Sequence, residues 1–284
     1  MRERKYGNAH YGAYMPMTAD LPAFRLFRAG IRRGLLACGL LVPLFAFAEL
    51  TNDNLLGPGL RWRPAYDGSA SQRSELVPVV RYLGQPWFVR STQGVLEGGV
   101  RIELAPGLHA AAQLAYESGR NPNESDFLKN RGLAGINHGA SVGAQLEWDH
   151  KIGIVPITLL ARARQRTDSD LGAQVDFRLS AGVFQSGRVG AGVFTQSTWA
   201  NAKSTNSFYG ITPPQSAATG LPAFSAGSGW LYTSVGLLWS VDLTQKWIVV
   251  GSMEARFLHG DAESSPLTER LRNYYMSAGL AYRF

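Results

Sequence analysis

Cysteine is almost absent from this sequence, because Cys38 is the only one in 284 residues. A single cysteine cannot form a disulfide within the chain. If the leader described below is removed, a thiol nucleophile and a cysteine-ligated metal are excluded as well. No phosphate-binding glycine loop, metal-ligand spacing or nucleotide fingerprint is present, so we expect no cofactor.

Long apolar runs are also missing after residue 48, where no stretch of 18 apolar residues occurs. A helix that crosses a membrane needs about 20 such residues, so the sequence excludes a helical membrane protein. Charge is sparse, at 17% of residues, whereas the chain contains 32 glycines. The fold class is decided by the residue pattern, which predicts an all-β chain, as described below.

Residues 1–48 are predicted to be a leader that contains a secretory signal peptide. Basic residues between Arg25 and Arg33 precede an apolar run, 34–48, which ends in Ala46-Phe47-Ala48. This order is typical of export signals. We expect export by the Sec route and cleavage after Ala48, which would leave one domain, residues 49–284.

Three features of the leader allow other interpretations. Residues 35–38 resemble a lipoprotein cleavage box, but most of the apolar run follows the cysteine. Arg32-Arg33 resembles a twin-arginine signal, which suits folded cargo rather than a barrel that is exported unfolded. The true start is Met1, Met15 or Met17.

The positive charge of the chain comes mostly from the leader. The whole sequence has 28 basic and 21 acidic residues, and residues 1–48 contain 7 and 2 of them. The remainder is 28 − 7 = 21 basic against 21 − 2 = 19 acidic residues, a net charge of +2. Nucleic-acid binding would need a clustered basic surface, so we expect no such partner.

The rest of the chain predicts about twelve strands, within a range of 10 to 14. Apolar and polar side chains alternate along them, as in strands whose two faces meet different surroundings. The predicted bounds are 54–66, 74–84, 86–92, 95–104, 107–117, 137–149, 154–166, 171–182, 187–199, 228–241, 246–258 and 271–284.

The alternation fits a soluble sandwich or a transmembrane antiparallel up-and-down barrel. Long strands, aromatic residues near strand ends and alternating loop lengths favour the barrel. The aromatic set is Trp62, Tyr66, Tyr82, Tyr116, Trp148, Trp230, Tyr232, Trp239, Trp247, Phe257, Tyr274 and Tyr282. Turns of a few residues are expected after even strands, at 84–85, 105–106, 150–153, 184–186 and 242–245, which would put both termini at the periplasmic side.

The last strand carries an apolar stripe from Tyr274 to the terminal Phe284. This pattern is typical of strands that close outer-membrane barrels. We therefore predict that Tyr282 and Phe284 form the assembly signal, with outer-membrane lipid and the barrel-assembly machinery as partners.

The sequence resembles the MipA/OmpV family of outer-membrane proteins over residues 207–224, 258–266 and 277–284, with a further similar turn at 63–69. The resemblance implies a scaffold that joins a lytic transglycosylase to a peptidoglycan synthase, or an adhesin. It carries no family active site. It points to the loop residues Tyr209, Gly210, Thr212, Pro213 and Pro214 as a candidate contact surface.

Eleven charged residues are predicted to face the barrel interior: Arg162, Arg164, Arg166, Arg178, Arg256, Glu97, Glu103, Glu147, Asp176, Asp242 and Glu254. We expect them to pair with one another and to leave little conductance. His259 and Asp261 lie close in sequence, but their spacing does not demand acid–base chemistry, so we expect a protein that is not an enzyme. The predicted function is an interaction scaffold; a narrow channel or solute-binding barrel and a surface adhesin are the alternatives.

Overall fold

The structure is a computed structural model that describes residues 53–92 and 94–284. The predicted leader, its cleavage site and the candidate start residues lie outside the described residues.

Twelve strands make up most of the described chain, as predicted. They are β1 (Leu55–Pro64), β2 (Gln72–Leu83), β3 (Trp87–Thr92), β4 (Val95–Ala105), β5 (Leu108–Glu117), β6 (Gly139–Ile152), β7 (Val155–Arg166), β8 (Ala173–Ser186), β9 (Val189–Ala200), β10 (Gly229–Asp242), β11 (Trp247–Leu258) and β12 (Arg272–Arg283).

The strands form one closed barrel in which each strand pairs antiparallel with its neighbours in sequence. β12 closes the barrel against β1, with Leu56 opposite Tyr282 and Trp62 opposite Met276. The prediction of a closed antiparallel barrel of about twelve strands is confirmed. Closure gives every strand a neighbour on both sides, which removes most of the free edges that lipid would not tolerate.

Two turns lie further along the chain than predicted. β6 continues to Ile152 and β8 to Ser186, so the turns fall at 153–154 and 187–188 instead of 150–153 and 184–186. Gly153 and Gly187 have φ values of 61° and 55°, a left-handed conformation that tight two-residue turns require and that glycine adopts without steric cost. The glycines, not the preceding polar residues, determine where these turns occur.

Side chains alternate between an exposed apolar exterior and a buried, largely polar interior. On β12, Tyr274, Met276 and Leu280 are exposed, whereas Tyr275 is buried. Trp62, Tyr82, Tyr116, Trp148 and Trp230 are also exposed. An apolar outer surface with aromatic residues among it is the pattern of a barrel in lipid.

Tyr66 and Tyr232 are buried, so their predicted place among the outer aromatic residues is wrong. Tyr66 lies in the β1–β2 loop, which folds over the barrel. In β10 the register shifts between Trp230 and Tyr232. In a regular strand, Trp230 and Tyr232 would lie on the same face. The bulge adds one residue, which reverses the alternation and puts them on opposite faces.

The two ends of the barrel differ in the length of their connections. Short turns and both ends of the barrel chain, Leu55 and Arg283, lie at one end, called here the short-turn end. At the long-loop end, four connections (65–71, 118–138, 201–228 and 259–271) pack together into what we call the lid. They contain four helices, α1 (Asp126–Asn130), α2 (Ala202–Tyr209), α3 (Pro213–Thr219) and α4 (Gly260–Ser264). None of the helices in the described residues is long and apolar enough to cross a membrane.

Two apolar clusters hold the lid together. The first joins all four of its loops through Tyr66, Leu128, Ile211 and Leu267. The second packs Tyr209 and Ala262 against Leu231 and Leu258 at the rim of the barrel. The lid therefore has a core of its own that continues into the wall.

We predict that Gly236→Val in β10 destabilises the barrel by about 1–3 kcal/mol, as overpacked cores commonly are. A Cβ atom at Gly236 would lie 2.3 Å from Cε1 of the buried Phe194. Gly229→Val is the matched control in the same strand, because nothing lies within 4 Å of its added Cβ. Urea unfolding of the refolded barrels in lipid vesicles measures both, and equal unfolding midpoints would contradict the prediction.

Candidate functional site: a buried ion-pair network beneath the lid

Of the eleven charged residues that the sequence assigns to the interior, Glu147 is buried in β6, Asp242 is half-buried at the end of β10 and Glu103 is exposed near the end of β4. The other eight occupy inward-facing strand positions. They come from four strands: Glu97 from β4; Arg162, Arg164 and Arg166 from β7; Asp176 and Arg178 from β8; Glu254 and Arg256 from β11. Arg178 is half-buried and the other seven are buried. The period of two along each strand is enough to place them.

Arg162 is the centre of the largest group of ion pairs. Its guanidinium donates to Glu97 at 2.7 Å and to Asp176 at 2.8 and 2.9 Å. Arg164 donates to the same Asp176 oxygen at 2.9 Å and to Glu117 at 2.6 Å. These contacts connect β4, β5, β7 and β8 across the interior.

Arg90 extends this group to β3 and β6. It donates to Glu97 at 2.6 Å, to Glu147 at 2.6 Å and to Gln145 at 3.0 Å. The sequence-based set omitted Arg90, because β3 has six residues and its alternation is too short to read. We call Arg90, Glu97, Glu117, Glu147, Arg162, Arg164 and Asp176 the central network.

A second group joins the wall to the lid. Arg256 pairs with Glu254 at 3.0 Å and with Asp67 of the β1–β2 loop at 2.8 Å. Its guanidinium stacks on the rings of Tyr232 and Tyr275, 4.0 and 4.4 Å from their centroids. Tyr275 also donates its hydroxyl to Asp67. Asp67 is therefore held by two inward-facing residues of the wall.

A third group connects β1 and β2 with the 118–138 loop. Glu75 accepts from Arg63 at 2.8 Å and pairs with Arg61 at 3.6 Å. Arg73 pairs with both Glu75 and Glu124 of the loop. This group, like the second, attaches the lid to the barrel wall by charge.

The interior charges are arranged for mutual neutralisation. Burying an isolated ion costs far more free energy than a folded protein can supply, so buried charges occur with partners and with their hydrogen bonds filled. Asp176 has this environment: it is fully buried, accepts from two arginines and also from the Thr198 hydroxyl at 2.8 Å. The central network therefore fills the part of the interior that is lined by β3 to β8.

Arg166 and Arg178 differ from the other interior arginines. Arg166 donates to the carbonyl of Asn137 at 3.1 Å. Arg178 donates to the Ser180 hydroxyl at 3.2 Å and lies over the Phe194 ring, 4.0 Å from its centroid. In the described part of the chain, Nη1 of Arg178 is buried without a hydrogen-bond partner.

The structure divides the predicted contact loop into a buried and an exposed part. Tyr209 is buried, and its carbonyl accepts from Ser265 at 2.6 Å, so it cannot form an exposed contact. Gly210 has no room for a side chain, because a Cβ atom would lie 2.4 Å from Asn206. Thr212, Pro213 and Pro214 are exposed at the start of α3, where Thr212 and Gln215 form a capping box.

Burial changes the ionisation of the lid tyrosines. Removal from water raises the pKa of Tyr66 and of Tyr209 well above the ordinary tyrosine value, since the neutral phenol is favoured inside the lid. The Tyr66 hydroxyl donates to the Leu267 carbonyl at 2.8 Å and joins two lid loops.

His259 and Asp261 are engaged with different partners. The His259 Nε2 atom lies 2.8 Å from the Thr233 hydroxyl, and Asp261 accepts from the backbone of Gly227 at 2.6 Å. Within residues 53–92 and 94–284, no group of three or more histidine, cysteine or acidic side chains could hold a metal ion.

The predicted assembly signal lies at the short-turn end. Tyr282 packs edge-on against Trp247 on the outer face, with ring centroids 5.4 Å apart. Phe284 is exposed, and its backbone nitrogen donates to the Asn54 carbonyl at 3.2 Å. The role of both residues in assembly stays a prediction.

The model of one protein family, the MltA-interacting protein MipA family, matches residues 56–284. The chain belongs to the MipA family. The predicted family resemblance is thereby confirmed, and the match covers the whole barrel. Family membership and the fold together support an outer-membrane barrel protein. No match was found among curated proteins.

Several solved outer-membrane barrels are similar to this MipA-family chain in overall architecture. An outer membrane channel, COG4313, from Pseudomonas putida F1 is 11% identical, with a TM-score of 0.47 and coverage of 86% of this chain and 100% of that one. LpxR from Salmonella typhimurium is 8% identical, with a TM-score of 0.47 and coverage of 80% and 100%. The NanC porin is 11% identical, with a TM-score of 0.44 and coverage of 81% and 100%. Similarity at these scores gives no information about the ligands of this chain.

We predict that Arg162→Met destabilises the barrel by about 3–5 kcal/mol, because it leaves Glu97 and Asp176 buried with fewer partners. Lys203→Met is the control, since Lys203 and Asp170 form an exposed pair at 3.7 Å; exposed pairs contribute about 0–1 kcal/mol. Urea unfolding in vesicles compares the two variants. An effect of Arg162→Met no larger than that of the control would show that the central network does not stabilise the fold.

The lid should loosen at high pH. Because the folded lid raises the pKa of Tyr66 and Tyr209, its stability is complete below the ordinary tyrosine pKa of about 10 and is lost as pH rises above it. We expect cleavage of residues 201–228 by proteinase K to accelerate above that pH. The Tyr66→Phe/Tyr209→Phe double variant should lose this acceleration, and an unchanged pH dependence in it would refute the assignment.

Proposed function

We propose that this protein is a non-enzymatic anchor in the outer membrane that binds a lytic transglycosylase through its short-turn end. The observation that carries the proposal is the closed long-loop end, where the lid has an apolar core and is tied to the wall through Asp67 and Glu124. A barrel that is filled and covered in this way is better suited to holding a partner than to passing solutes.

The family description supports the choice of partner, because it is named for interaction with MltA. We propose that MltA-type transglycosylases are the partner class, that a peptidoglycan synthase joins the same assembly, and that the chain reaches the membrane by the Sec route. His259 and Asp261 engage separate partners, which supports a role without catalysis.

The short-turn end exposes two apolar side chains in separate turns. Ile154 and Leu243 lie in the β6–β7 and β10–β11 turns and are 60% and 46% exposed. If the long-loop end faces the outside of the cell, these turns face the periplasm, where peptidoglycan enzymes work. We propose that both side chains contact the partner.

The proposal predicts that the barrel, crosslinked in intact envelopes and then purified, brings down a lytic transglycosylase that mass spectrometry identifies. Ile154→Asp/Leu243→Asp should reduce this recovery at least tenfold, since it replaces both proposed apolar contacts with charges. Thr212→Asp adds a charge at the opposite end and keeps a residue able to cap α3, so recovery should be unchanged.

Two results would contradict the anchor proposal. If the folded wild-type barrel enriches no transglycosylase, or if the turn variant and the lid variant lose it equally, the short-turn end is not the binding surface. Large single-channel steps in planar bilayers would instead favour a channel.

A further inference from the structure

The barrel wall has one weak seam, between β2 and β3. These strands share only three residue pairs, from Arg81 opposite Arg90 to Leu83 opposite Phe88. β2 has 12 residues and pairs with β1 along all but two of them, whereas β3 has six. Residues 74–79 of β2 therefore have no strand partner on the β3 side among the described residues.

The seam has features that make an unpaired edge tolerable. Pro78 lies opposite Pro58 in β1. Neither proline has an N–H group, so the two residues form a non-hydrogen-bonded pair of the β1–β2 ladder. The backbone nitrogen of Pro78 therefore points away from β1, toward the seam. Because it carries no hydrogen, it adds no unpaired donor there. Where pairing ends, the Ser91 hydroxyl contacts both the nitrogen and the carbonyl of Val80, at 3.1 and 3.4 Å.

The outer rim of the seam is apolar. Leu76 of β2 is 84% exposed, and Leu96, in β4 next to Ser91 of β3, is exposed beyond the seam. Backbone groups that lipid would leave unsatisfied are expected only where they line a cavity or are covered by protein. The seam meets this condition, because a cavity lies directly behind it.

This cavity has a volume of about 280 Å³, and both rims contribute to its lining. Val77 and Val79 line it from β2, and Ser91 and Thr92 line it from β3. Further in, Leu55, Leu160 and Val250 provide apolar surface. The volume is close to the lower limit for small-molecule sites, and the mixture of apolar walls with a few polar groups is typical of them.

The polar end of the cavity contains Arg178. Its Nη1 nitrogen is the buried donor without a partner described above. The two carboxylates that also line the cavity are already engaged: Glu147 pairs with Arg90 at 2.6 Å, and Glu254 pairs with Arg256 at 3.0 Å. An anionic group from outside the chain would complete the hydrogen bonding of Arg178.

We propose that the seam admits a fatty-acid anion from the membrane into this cavity, with its hydrocarbon chain along Val77 and Val79 and its carboxylate on Arg178. The apolar rim selects a ligand that arrives through lipid, and the arginine selects one with a negative head group. This site is independent of the anchor role and of the partner at the short-turn end.

Equilibrium binding of radiolabelled dodecanoate to the barrel in lipid nanodiscs tests the head-group contact, with empty nanodiscs subtracted. We expect saturable binding of one molecule per barrel and about tenfold weaker binding by Arg178→Gln. This variant should fold, because Arg178 takes no part in the central network. Arg188→Gln, at an exposed turn, should bind like the wild type, and dodecanol should compete poorly.

The route of entry has its own test. Val77→Trp puts an indole on the inner side of the seam, and Leu76→Trp puts one on its outer side. Stopped-flow fluorescence with a dansylated undecanoate should show association slowed at least fivefold by Val77→Trp and unchanged by Leu76→Trp. Equal rates in both variants would overturn entry through the seam, and equal affinity of Arg178→Gln and wild type would overturn the site.

Discussion

The rest of the structure depends on the pairing of charge inside a closed apolar shell. The barrel exposes its apolar side chains, so its polar ones must face inward. There Asp176, Glu97 and Arg162 are removed from water, and their burial is possible only because they form ion pairs with one another. A contact such as that of Arg90 with Glu147, 57 positions apart in the chain, fixes strands relative to each other that never pair in the sheet.

The same requirement explains how the lid is attached to the wall. Asp67 and Glu124 belong to loops, yet each pairs with an inward-facing arginine of a strand. Opening the lid would leave Arg256 without one of its two carboxylates as well as expose the apolar cluster around Tyr66 and Leu267. Charge and hydrophobic burial thus act together to keep the long-loop end covered.

The strand pattern was readable from sequence because each strand has a period of two and sits between two different environments. This is why the twelve strands and the inward position of Arg162 and Asp176 could be predicted. The pairing of these charges could not be predicted, since partners such as Glu97 and Arg162 lie on strands far apart in sequence. The bulge at Trp230 and the burial of Tyr209 depend on packing within the lid, which a strand period does not report.

One part of the barrel interior is filled with paired charges, whereas another part contains a cavity. The central network fills the side formed by β3 to β8, where its charges have partners, whereas Arg178 faces the remaining space with one donor unfilled. The short β3 leaves residues 74–79 of β2 without a strand partner on the β3 side and opens the wall to the same space. A barrel that needed only rigidity would gain by extending β3, whereas the shortened strand fits the proposed access to the cavity behind it.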